Sequence, residues 1–407
     1  MVEPGCVAFA LAGTIGSMGQ APPVVAGAPG SFARSVFTER HPKLIEQVAG
    51  AHPYRPGERA ALRQLLDVSL HGVLEPLPSG ADDADRWRSW GAEWWGRSWG
   101  EAPFLFAESY FYRLLLDAVG YLRPGPWHGV DPFGPAKRAE LTGPAVAAEL
   151  RALESLAHAG GSDVREVLLK SALWGNQADL GFQLTASSTR ESGSLLVDDS
   201  SRMWRVLEAA GDPVVHLVAD NAGRELIPDL VLLDHLLTAG LAHRMVVHLK
   251  PRPYYVSDAT TGDLLDCLSV LENSAVAAAR DIGGRLSAAL RSGGVGIDVH
   301  EFFCSPLPFE QMPRDLADQF AAADLVILKG DLNYRRLVGD RHWAPTTSFE
   351  DLVAYFPAPV AALRTLKSEV AVGMSGSQVD SLDRSDPNWR TNGQHAVIQI
   401  RPRSGGN

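Results

Sequence analysis

Charged and amide side chains follow four short apolar runs of the sequence, each at the point where the run ends. Asp220 and Asn221 come directly after residues 214–219, and Asp258 follows the run at 244–249 through a segment rich in proline and tyrosine. The runs at 324–328 and 358–363 are followed by cations and further polar groups: Lys329, Asp331, Asn333, Arg335, Arg364 and Lys367.

These side chains offer two complementary kinds of chemistry. Asp220, Asn221 and Asp258 carry hard oxygen donors of the kind that magnesium, manganese and similar divalent ions prefer. The cations bind phosphate oxygens, arginine with two donors and lysine as a point charge; they are Lys329, Arg335, Arg364 and Lys367. A divalent ion beside several cations is typical of phosphoryl transfer, where positioning and charge neutralisation provide most of the catalysis. Each motif alone also fits a helix cap or a turn, so their joint occurrence carries the prediction.

Short apolar runs that alternate with amphipathic stretches predict the elements that position these groups. The runs lie at residues 214–220, 244–250, 294–303, 324–330, 358–364 and 395–402. Strand and helix signals in alternation predict an α/β fold, a three-layer α/β/α core with a central mixed, largely parallel sheet. Ligands bind beyond the carboxyl ends of strands in such sheets, so we expect the polar groups to converge on one crevice.

The rhythm of the sequence divides the chain into three parts. Residues 1–30 are small, apolar and rich in glycine and proline, which predicts a disordered tail. Residues 31–165 have long apolar-periodic segments and few β-branched runs, which predicts a helical N-terminal region. Residues 166–402 carry the strand signals and form the predicted α/β core.

Composition excludes several classes of protein. The 407 residues carry a net charge of −11, which argues against a generic nucleic-acid binder. Three widely spaced cysteines, Cys6, Cys267 and Cys304, argue against a disulfide framework or a zinc site and fit the cytoplasm. No run approaches the roughly 18 apolar residues of a membrane span. The apolar start lacks a positively charged segment, so a secretory signal is not predicted. Nothing in the composition fixes the oligomeric state.

Several motifs together resemble one known family. They are "SFARSVFTERHP", "LWGNQADL", "VADNAGRELIPDL", "PYYVSDAT", "LKGDLNYRRLVGDRHW" and "RTLKSEVAVG", which span most of residues 31–375. In order and spacing they resemble the metal-dependent damage-control phosphatases, and among them the acidic-residue methyltransferase-1-like subfamily III with its R-T-x-K motif. The resemblance implies an enzyme that hydrolyses small phosphate monoesters, notably sugar phosphates such as fructose 1-phosphate, or a phosphorylated pathway intermediate. It also implies a divalent metal cofactor, manganese or alternatively cobalt, nickel or magnesium.

The resemblance assigns roles residue by residue. Asp220, Asn221 and Asp258 match the metal-ligand positions and form the predicted catalytic set. The matching substrate-contacting positions are Asp331, Leu332, Asn333, Tyr334, Arg335 and Lys367, to which we add the cations Lys329 and Arg364. Glu108 and Asn176 match positions near the expected pocket, as does Asp179. The sequence has Gln177 and Gly181 where the family usually has lysine and serine, and one cation fewer could shift substrate preference.

Other functions stay open from the sequence alone. The subfamily's older name raises a carboxyl methyltransferase that uses S-adenosylmethionine, for which the Gly-rich run "AGTIGSMG" in the predicted tail is weak support. A biosynthetic enzyme acting on a phosphorylated intermediate and a non-catalytic sugar-phosphate sensor are further alternatives, although intact Asp220, Asn221 and Asp258 argue against the sensor. For the nucleophile, a metal-activated water is simpler than attack by Asp220, which would form a phosphoaspartate.

Overall fold

The computed structural model describes residues 21–157, 162–175 and 194–403, and within them the chain forms one seven-stranded sheet. Each strand is a short apolar segment, and alternate residues of a strand face opposite sides of the sheet. The strands are β1 (Ser194–Asp198), β2 (Val214–Val218), β3 (Arg244–Leu249), β4 (Val295–Val299), β5 (Leu325–Lys329), β6 (Val360–Thr365) and β7 (His395–Arg401).

The strand order is β1-β7-β6-β5-β2-β3-β4. Neighbouring strands pair in parallel except β6 and β7, which are antiparallel. The predicted mixed, largely parallel sheet is therefore confirmed. Because β2, β3, β5 and β6 run in the same direction, their carboxyl ends lie at one edge of the sheet, where the sequence places the polar groups.

Two predictions about strands need correction. β1 was not predicted, because its five residues are only partly buried and give a weak apolar signal. The run at 294–303 is not one strand, because β4 ends at Val299 and a 3₁₀ helix follows at Glu301–Cys304.

Helices cover both faces of the sheet. The first face packs against the N-terminal helices, the segment after β4 and the segment before β7, from which Phe111, Phe309 and Trp389 join Val326 and Leu328 of β5 in one buried cluster. The N-terminal helices are α1 (Phe32–Ser35), a π-helix (Val36–Arg40), α2 (His41–Ala51), α3 (Pro56–His71), α4 (Ala84–Trp90), a 3₁₀ helix (Trp99–Glu101) and α5 (Phe104–Ala118).

The second face carries a separate buried cluster that includes Leu325 and Ile327 of β5. Residues 325–328 of β5 thus alternate between the two clusters, which gives the three layers expected of an α/β fold. The helices that follow α5 are α6 (Gly134–Leu141), α7 (Pro144–Ala157), α8 (Ser162–Trp174), α9 (Ser200–Ala209), α10 (Leu226–Thr238), α11 (Thr261–Glu272), α12 (Ala277–Ser292), a 3₁₀ helix (Phe309–Gln311), α13 (Arg314–Ala321), α14 (Gly330–Val338), α15 (Phe349–Leu352) and α16 (Gly376–Ser385).

The predicted boundary at residue 30 differs from the structure. Residues 1–20 lie outside the described part of the chain, but Val24 and Ala26 are buried in the first cluster. The Val24 N–H donates to the carbonyl of Asp340 at 3.0 Å, and the Phe104 N–H donates to the carbonyl of Val24 at 2.7 Å. The last third of the predicted tail is therefore part of the folded protein. Helix length and hydropathy in the described ranges give no candidate for a membrane-crossing segment.

Candidate functional site

The chain segments that follow β2 and β3 pair with each other at the edge of the sheet. The Ala222 N–H donates to the carbonyl of Ser257 at 2.7 Å, and the Ala259 N–H donates to the carbonyl of Asp220 at 2.9 Å. A β-bridge joins Asn221 to Asp258 between these two bonds. The backbone therefore holds the predicted metal ligands side by side, although they lie 37 residues apart in sequence (258 − 221).

Asp220 and Asp258 lie in surroundings that disfavour two bare negative charges. Burial raises the pKa of Asp220 well above its usual range, and the nearby carboxylates of Glu225 and Asp258 raise it further. Burial also raises the pKa of Asp258, while the ammonium of Lys250, 4.0 Å from its Oδ2, opposes the rise. Buried carboxylates that repel one another are stabilised by a cation between them, so this donor set fits a divalent ion.

The fit depends on a mixed set of ligands. Within the described ranges, no three or more His, Cys, Asp or Glu side chains are grouped so that they could hold a metal ion. The candidate centre instead combines the carboxylates of Asp220 and Asp258 with the amide oxygen of Asn221, a set that suits a hard cation.

The start of α14 touches this candidate centre. Gly330 has φ +83°, and a Cβ at that position would lie 1.8 Å from Oδ2 of Asp220. Glycine is therefore required both for the backbone conformation and for the space that the carboxylate occupies. The first N–H groups of any helix have no partner within the helix. In α14 the residue before the helix, Lys329, makes no capping hydrogen bond to them. Asn333 fixes the helix to β2 and β5 by donating to the carbonyls of Ala219 at 3.2 Å and Lys329 at 2.8 Å.

A small cleft opens beside Asp220 and Asn221. Lys367 lines this cleft, and its side chain is 40% exposed. Burial opposes protonation of Lys367, but Glu225, Asp220 and Asp331 together raise its pKa, so it carries a charge at neutral pH. The residues that line the cleft are Ala172, Leu173, Asp220, Asn221, Glu225, Asp229, Lys329, Gly330, Asp331, Leu363, Thr365 and Lys367.

Lys329 also borders the cleft, but its ammonium group is used inside the protein. Its Nζ donates to Oδ1 of Asp229 at 2.6 Å and to the carbonyl of Ala172. Burial raises the pKa of Asp229 to about 6, and Lys329 opposes this rise. These bonds join β5 to α10 and α8 beneath the cleft. Lys329 therefore supports the floor of the cleft, which argues against the predicted contact between Lys329 and a phosphate.

Arg364 is likewise committed to internal partners. Its Nε donates to Oδ1 of Asp331 at 2.8 Å, its Nη2 donates to Oγ of Ser368 at 2.9 Å, and its Nη1 donates to the carbonyl of Val370. Burial opposes ionisation of Asp331, but the guanidiniums of Arg364 and Arg335 hold its pKa below the usual value. Arg364 therefore fixes an ionised Asp331 at the cleft and has few donors left for a substrate.

Arg335 lies outside the lining of this cleft, among carboxylates. It donates to both oxygens of Asp340, at 2.9 and 2.8 Å, and its Nη1 lies 3.3 Å from Oε2 of Glu108. The guanidinium also lies 4.5 Å from the ring centre of Phe104. Direct contact with a substrate phosphate, as predicted for Arg335, therefore conflicts with these pairings.

Two further residues of the predicted contact segment point elsewhere. Leu332 packs against Leu105 and Tyr254, and the Tyr334 hydroxyl donates to Oε1 of Gln399 at 2.8 Å. The segment is helical, so successive side chains are turned by about 100° and cannot all face one cleft. Of this segment, Asp331 lines the cleft beside Gly330.

Glu108 is buried beside Arg335. Burial raises its pKa to about 7, and the Arg335 guanidinium opposes that rise.

Asn176 and Asp179, and the departures Gln177 and Gly181, lie outside the described residues.

The Glu108 pKa predicts a pH-dependent stability. The folded protein holds the Glu108 proton up to about pH 7, whereas the unfolded chain releases it near the ordinary glutamate pKa, so this group lowers stability as pH rises between those values. We expect Glu108→Gln to lose less stability than the native protein between pH 5 and pH 8. Urea unfolding at both pH values measures this, and an identical pH dependence in the two proteins would contradict the buried, protonated state.

Sequence reasoning missed Glu225 and Asp229, which both line the cleft. Glu225 accepts a hydrogen bond from Nδ2 of Asn221 at 2.9 Å and lies 3.7 Å from Nζ of Lys367. Its position in the same motif as Asp220 and Asn221, "VADNAGRELIPDL", is the signal that could have identified it.

A larger groove lies between α3, α5 and the segments after β3 and β4, but its charges are already balanced. Arg113 pairs with Asp83 and Asp117, and Arg252 pairs with Glu301, at 2.6 to 2.9 Å. These short ion pairs occupy the guanidinium donors, whereas Lys367 is paired more loosely, 3.7 Å from Oε1 of Glu225, and its side chain is 40% exposed beside the candidate metal ligands.

Known proteins match this chain over most of its length. Residues 36–382 match the damage-control phosphatase ARMT1-like domain. Damage-control phosphatase ARMT1 of Danio rerio is 32% identical over 334 residues, 74% of each chain, and that of Mus musculus is 33% identical over 330 residues, 74% of this chain and 75% of its own. The Homo sapiens protein of the same name is 29% identical and aligns over 91% of this chain and 96% of its own.

Similarity in structure extends to a more distant protein. A DUF89 family protein from Pyrococcus horikoshii aligns with a TM-score of 0.50 at 14% identity and covers 90% of this chain and 97% of its own. This likeness supports the fold alone. The match over residues 36–382 places the chain in the damage-control phosphatase ARMT1-like family, a family of phosphatase-type hydrolases.

Proposed function

We propose that the protein is a metal-dependent phosphatase that hydrolyses small phosphate monoesters, with sugar phosphates as the substrate class. One observation carries the proposal: Asp220, Asn221, Lys367 and the uncapped start of α14 lie at one cleft, and a β-bridge holds the buried Asp258 beside Asn221. Membership of the phosphatase family supports the same reaction.

Asp220, Asn221 and Asp258 would hold the ion. When bound there, a divalent cation supplies Lewis-acid polarisation of a phosphoryl group and lowers the pKa of a water nucleophile. Manganese, cobalt, nickel and magnesium all accept such oxygen ligands, and we propose manganese first.

The other residues bind and orient the phosphate. Lys367 neutralises charge on the phosphate oxygens, and the N–H groups at the start of α14 offer hydrogen bonds at the positive end of the helix dipole. Gly330 brings that helix start against Asp220 with no side chain between them. Arg364 and Ser368 hold Asp331 by hydrogen bonds of 2.8 and 3.0 Å, so the side chain at the cleft keeps one orientation.

Lys367→Met should weaken phosphate binding without unfolding the protein. The change removes a charge-assisted hydrogen bond worth roughly 1.5–3 kcal/mol, which corresponds to about 10- to 150-fold in affinity or kcat/KM. Calorimetric titration with inorganic phosphate in the presence of manganese measures this. Lys170→Met is the matched control, because Lys170 is exposed and pairs with Glu166 outside the cleft. Equal phosphate affinity in Lys367→Met and the native protein would remove Lys367 from the site.

The substrate class is tested with purified protein and a panel of phosphorylated metabolites. We expect phosphate release from ketose and aldose phosphates, fructose 1-phosphate among them, at rates well above those for nucleotides. Asp220→Asn protein purified in parallel controls for contaminating phosphatases. Activity confined to one non-sugar intermediate would overturn the sugar-phosphate proposal and favour a pathway-specific enzyme.

The methyltransferase alternative gains no support from the fold. Such enzymes carry a Gly-rich loop after their first strand, whereas the residues directly after β1 are Asp199, Ser200 and Ser201 at the start of α9. The glycine-rich run "AGTIGSMG" lies outside the described residues. Cys267 and Cys304 are buried free thiols, and the cytoplasmic location inferred from cysteine spacing stays a prediction.

A further inference from the structure

Glu225 lies between the candidate metal ligands and the candidate phosphate-binding lysine, with one carboxylate oxygen toward each. Its Oε2 accepts from Nδ2 of Asn221 at 2.9 Å, and its Oε1 lies 3.7 Å from Nζ of Lys367. The side chain lines the cleft and is 22% exposed. This single residue therefore connects the two halves of the site.

The contact to Asn221 has a consequence for metal binding. An asparagine amide has a donor end and an acceptor end, and only the oxygen can bind a cation. Here Nδ2 of Asn221 donates to Glu225 and also to Oδ2 of Asp220 at 3.2 Å. The reversed amide would place Oδ1 against the Glu225 carboxylate, so the contact with Glu225 keeps Nδ2 on its own side and leaves Oδ1 as the end available to an ion.

The neighbouring backbone limits where the Glu225 side chain can lie. Gly175, with φ +49°, has its Cα so close that a Cβ there would lie 2.9 Å from Cγ of Glu225. A side chain at residue 175 would displace the carboxylate from the place where it reaches both Asn221 and Lys367. The glycine of the "LWGNQADL" motif thus leaves the space that the Glu225 side chain occupies.

We propose that Glu225 is a positioning residue that orients Asn221 for the metal ion and Lys367 for the phosphate. The inference rests on the proposed function, because it takes an ion at Asp220, Asn221 and Asp258 and a phosphate at Lys367. Glu225 accepts a hydrogen bond from Asn221 and forms an ion pair with Lys367, and it needs no contact with the substrate.

The test compares Glu225→Ala and Glu225→Gln with the native protein in two binding measurements. Metal-stripped protein is titrated with manganese, and manganese-saturated protein is titrated with inorganic phosphate. We expect Glu225→Ala to weaken manganese binding roughly 10–100-fold, the range for loss of a group that orients a metal ligand. Phosphate affinity should fall as well, and Glu225→Gln should recover part of the manganese affinity because its amide oxygen still accepts from Asn221.

Glu140→Gln is the matched control. Glu140 lies near Glu225 and Lys367: burial raises the pKa of Glu140, and the Glu225 carboxylate raises it further. In the described structure no hydrogen bond joins Glu140 to Asn221. We expect both of its dissociation constants to stay within about twofold of the native values, as for a charge that makes no direct contact with the metal ligands and is screened by salt. Thermal unfolding of the metal-free variants checks that each one is folded.

The outcomes separate the inference from the proposed function. If the native protein binds manganese and Glu225→Ala has the same dissociation constants for manganese and phosphate, the positioning role alone is overturned. Equal losses in Glu140→Gln and Glu225→Ala would also overturn it, because only net charge would then matter. A native protein that binds no divalent ion would contradict the proposed function itself, and the positioning role with it.

Discussion

Asp258→Asn and Asp220→Asn should each lose nearly all phosphatase activity. Either change removes one negative charge from a hard-oxygen site while keeping the size of the side chain and one carbonyl donor. Loss of a direct ligand should exceed the roughly 10–100-fold cost of losing a group that only orients one. Both variants should need far more manganese, and both should lose the increase in Tm that manganese gives the native protein by binding its folded state. Steady-state kinetics over a manganese series and thermal unfolding with and without the ion measure these effects.

A control at the other end of β2 separates a ligand from an ordinary cap. Oδ2 of Asp324 accepts from the Val214 N–H at 2.9 Å, at the amino end of β2 and away from the cleft. Asp324→Asn should change stability slightly and leave the manganese requirement as it is. Asp258 also accepts from the Tyr255 N–H at 3.2 Å. Full activity in Asp258→Asn with an inactive Asp220→Asn would reduce Asp258 to that capping role and contradict the two-segment site.

Gly330→Ala should abolish manganese-dependent activity although the residue carries no chemistry. A Cβ there would lie 1.8 Å from Oδ2 and 2.1 Å from Cγ of Asp220, so either the carboxylate or the start of α14 must move. The positive φ adds a strain of about 1–3 kcal/mol for a residue with a side chain. We expect a lower Tm and a loss of activity comparable with that of Asp220→Asn, measured by thermal unfolding and a manganese-dependent assay.

Gly339→Ala isolates the effect of backbone strain. Gly339 follows the same helix with φ +81°, and the nearest atoms to an added Cβ lie 3.8 Å or more away. It should lower Tm and leave the manganese requirement unchanged. If Gly330→Ala behaves like Gly339→Ala, the contact between the helix start and Asp220 does not shape the site.

Much of the fold could be predicted because short buried strands leave a clear apolar signal. Residues 214–218 and 325–329 are almost wholly buried, so their runs stand out between polar loops. β1 is only partly buried and lies at the edge of the sheet, so its sequence does not separate it from a loop. Residues 21–30 read as a tail because small residues and prolines give no periodicity, yet their backbone hydrogen bonds to the loops around Asp340 and Phe104 hold them in place.

That the candidate residues lie near one another was predictable, whereas their roles stay predictions. The position of polar residues after strands pointed to one edge of the sheet, where Asp220, Asn221 and Lys367 line one cleft and Asp258 is bridged to Asn221. Which cations are free depends on partners far apart in sequence: Lys329 meets Asp229, and Arg364 meets Asp331. Such pairings arise from three-dimensional packing and leave no local mark in the sequence.

Removal of the divalent ion should remove the phosphatase activity. Native protein is stripped with a chelator, its residual metal content is determined by elemental analysis, and hydrolysis of a generic phosphate ester is measured before and after manganese, cobalt, nickel or magnesium is added. We expect no turnover in the stripped protein and recovery with manganese at least, with Asp220→Asn inactive throughout. Undiminished hydrolysis by metal-free native protein would contradict a metal centre at Asp220, Asn221 and Asp258.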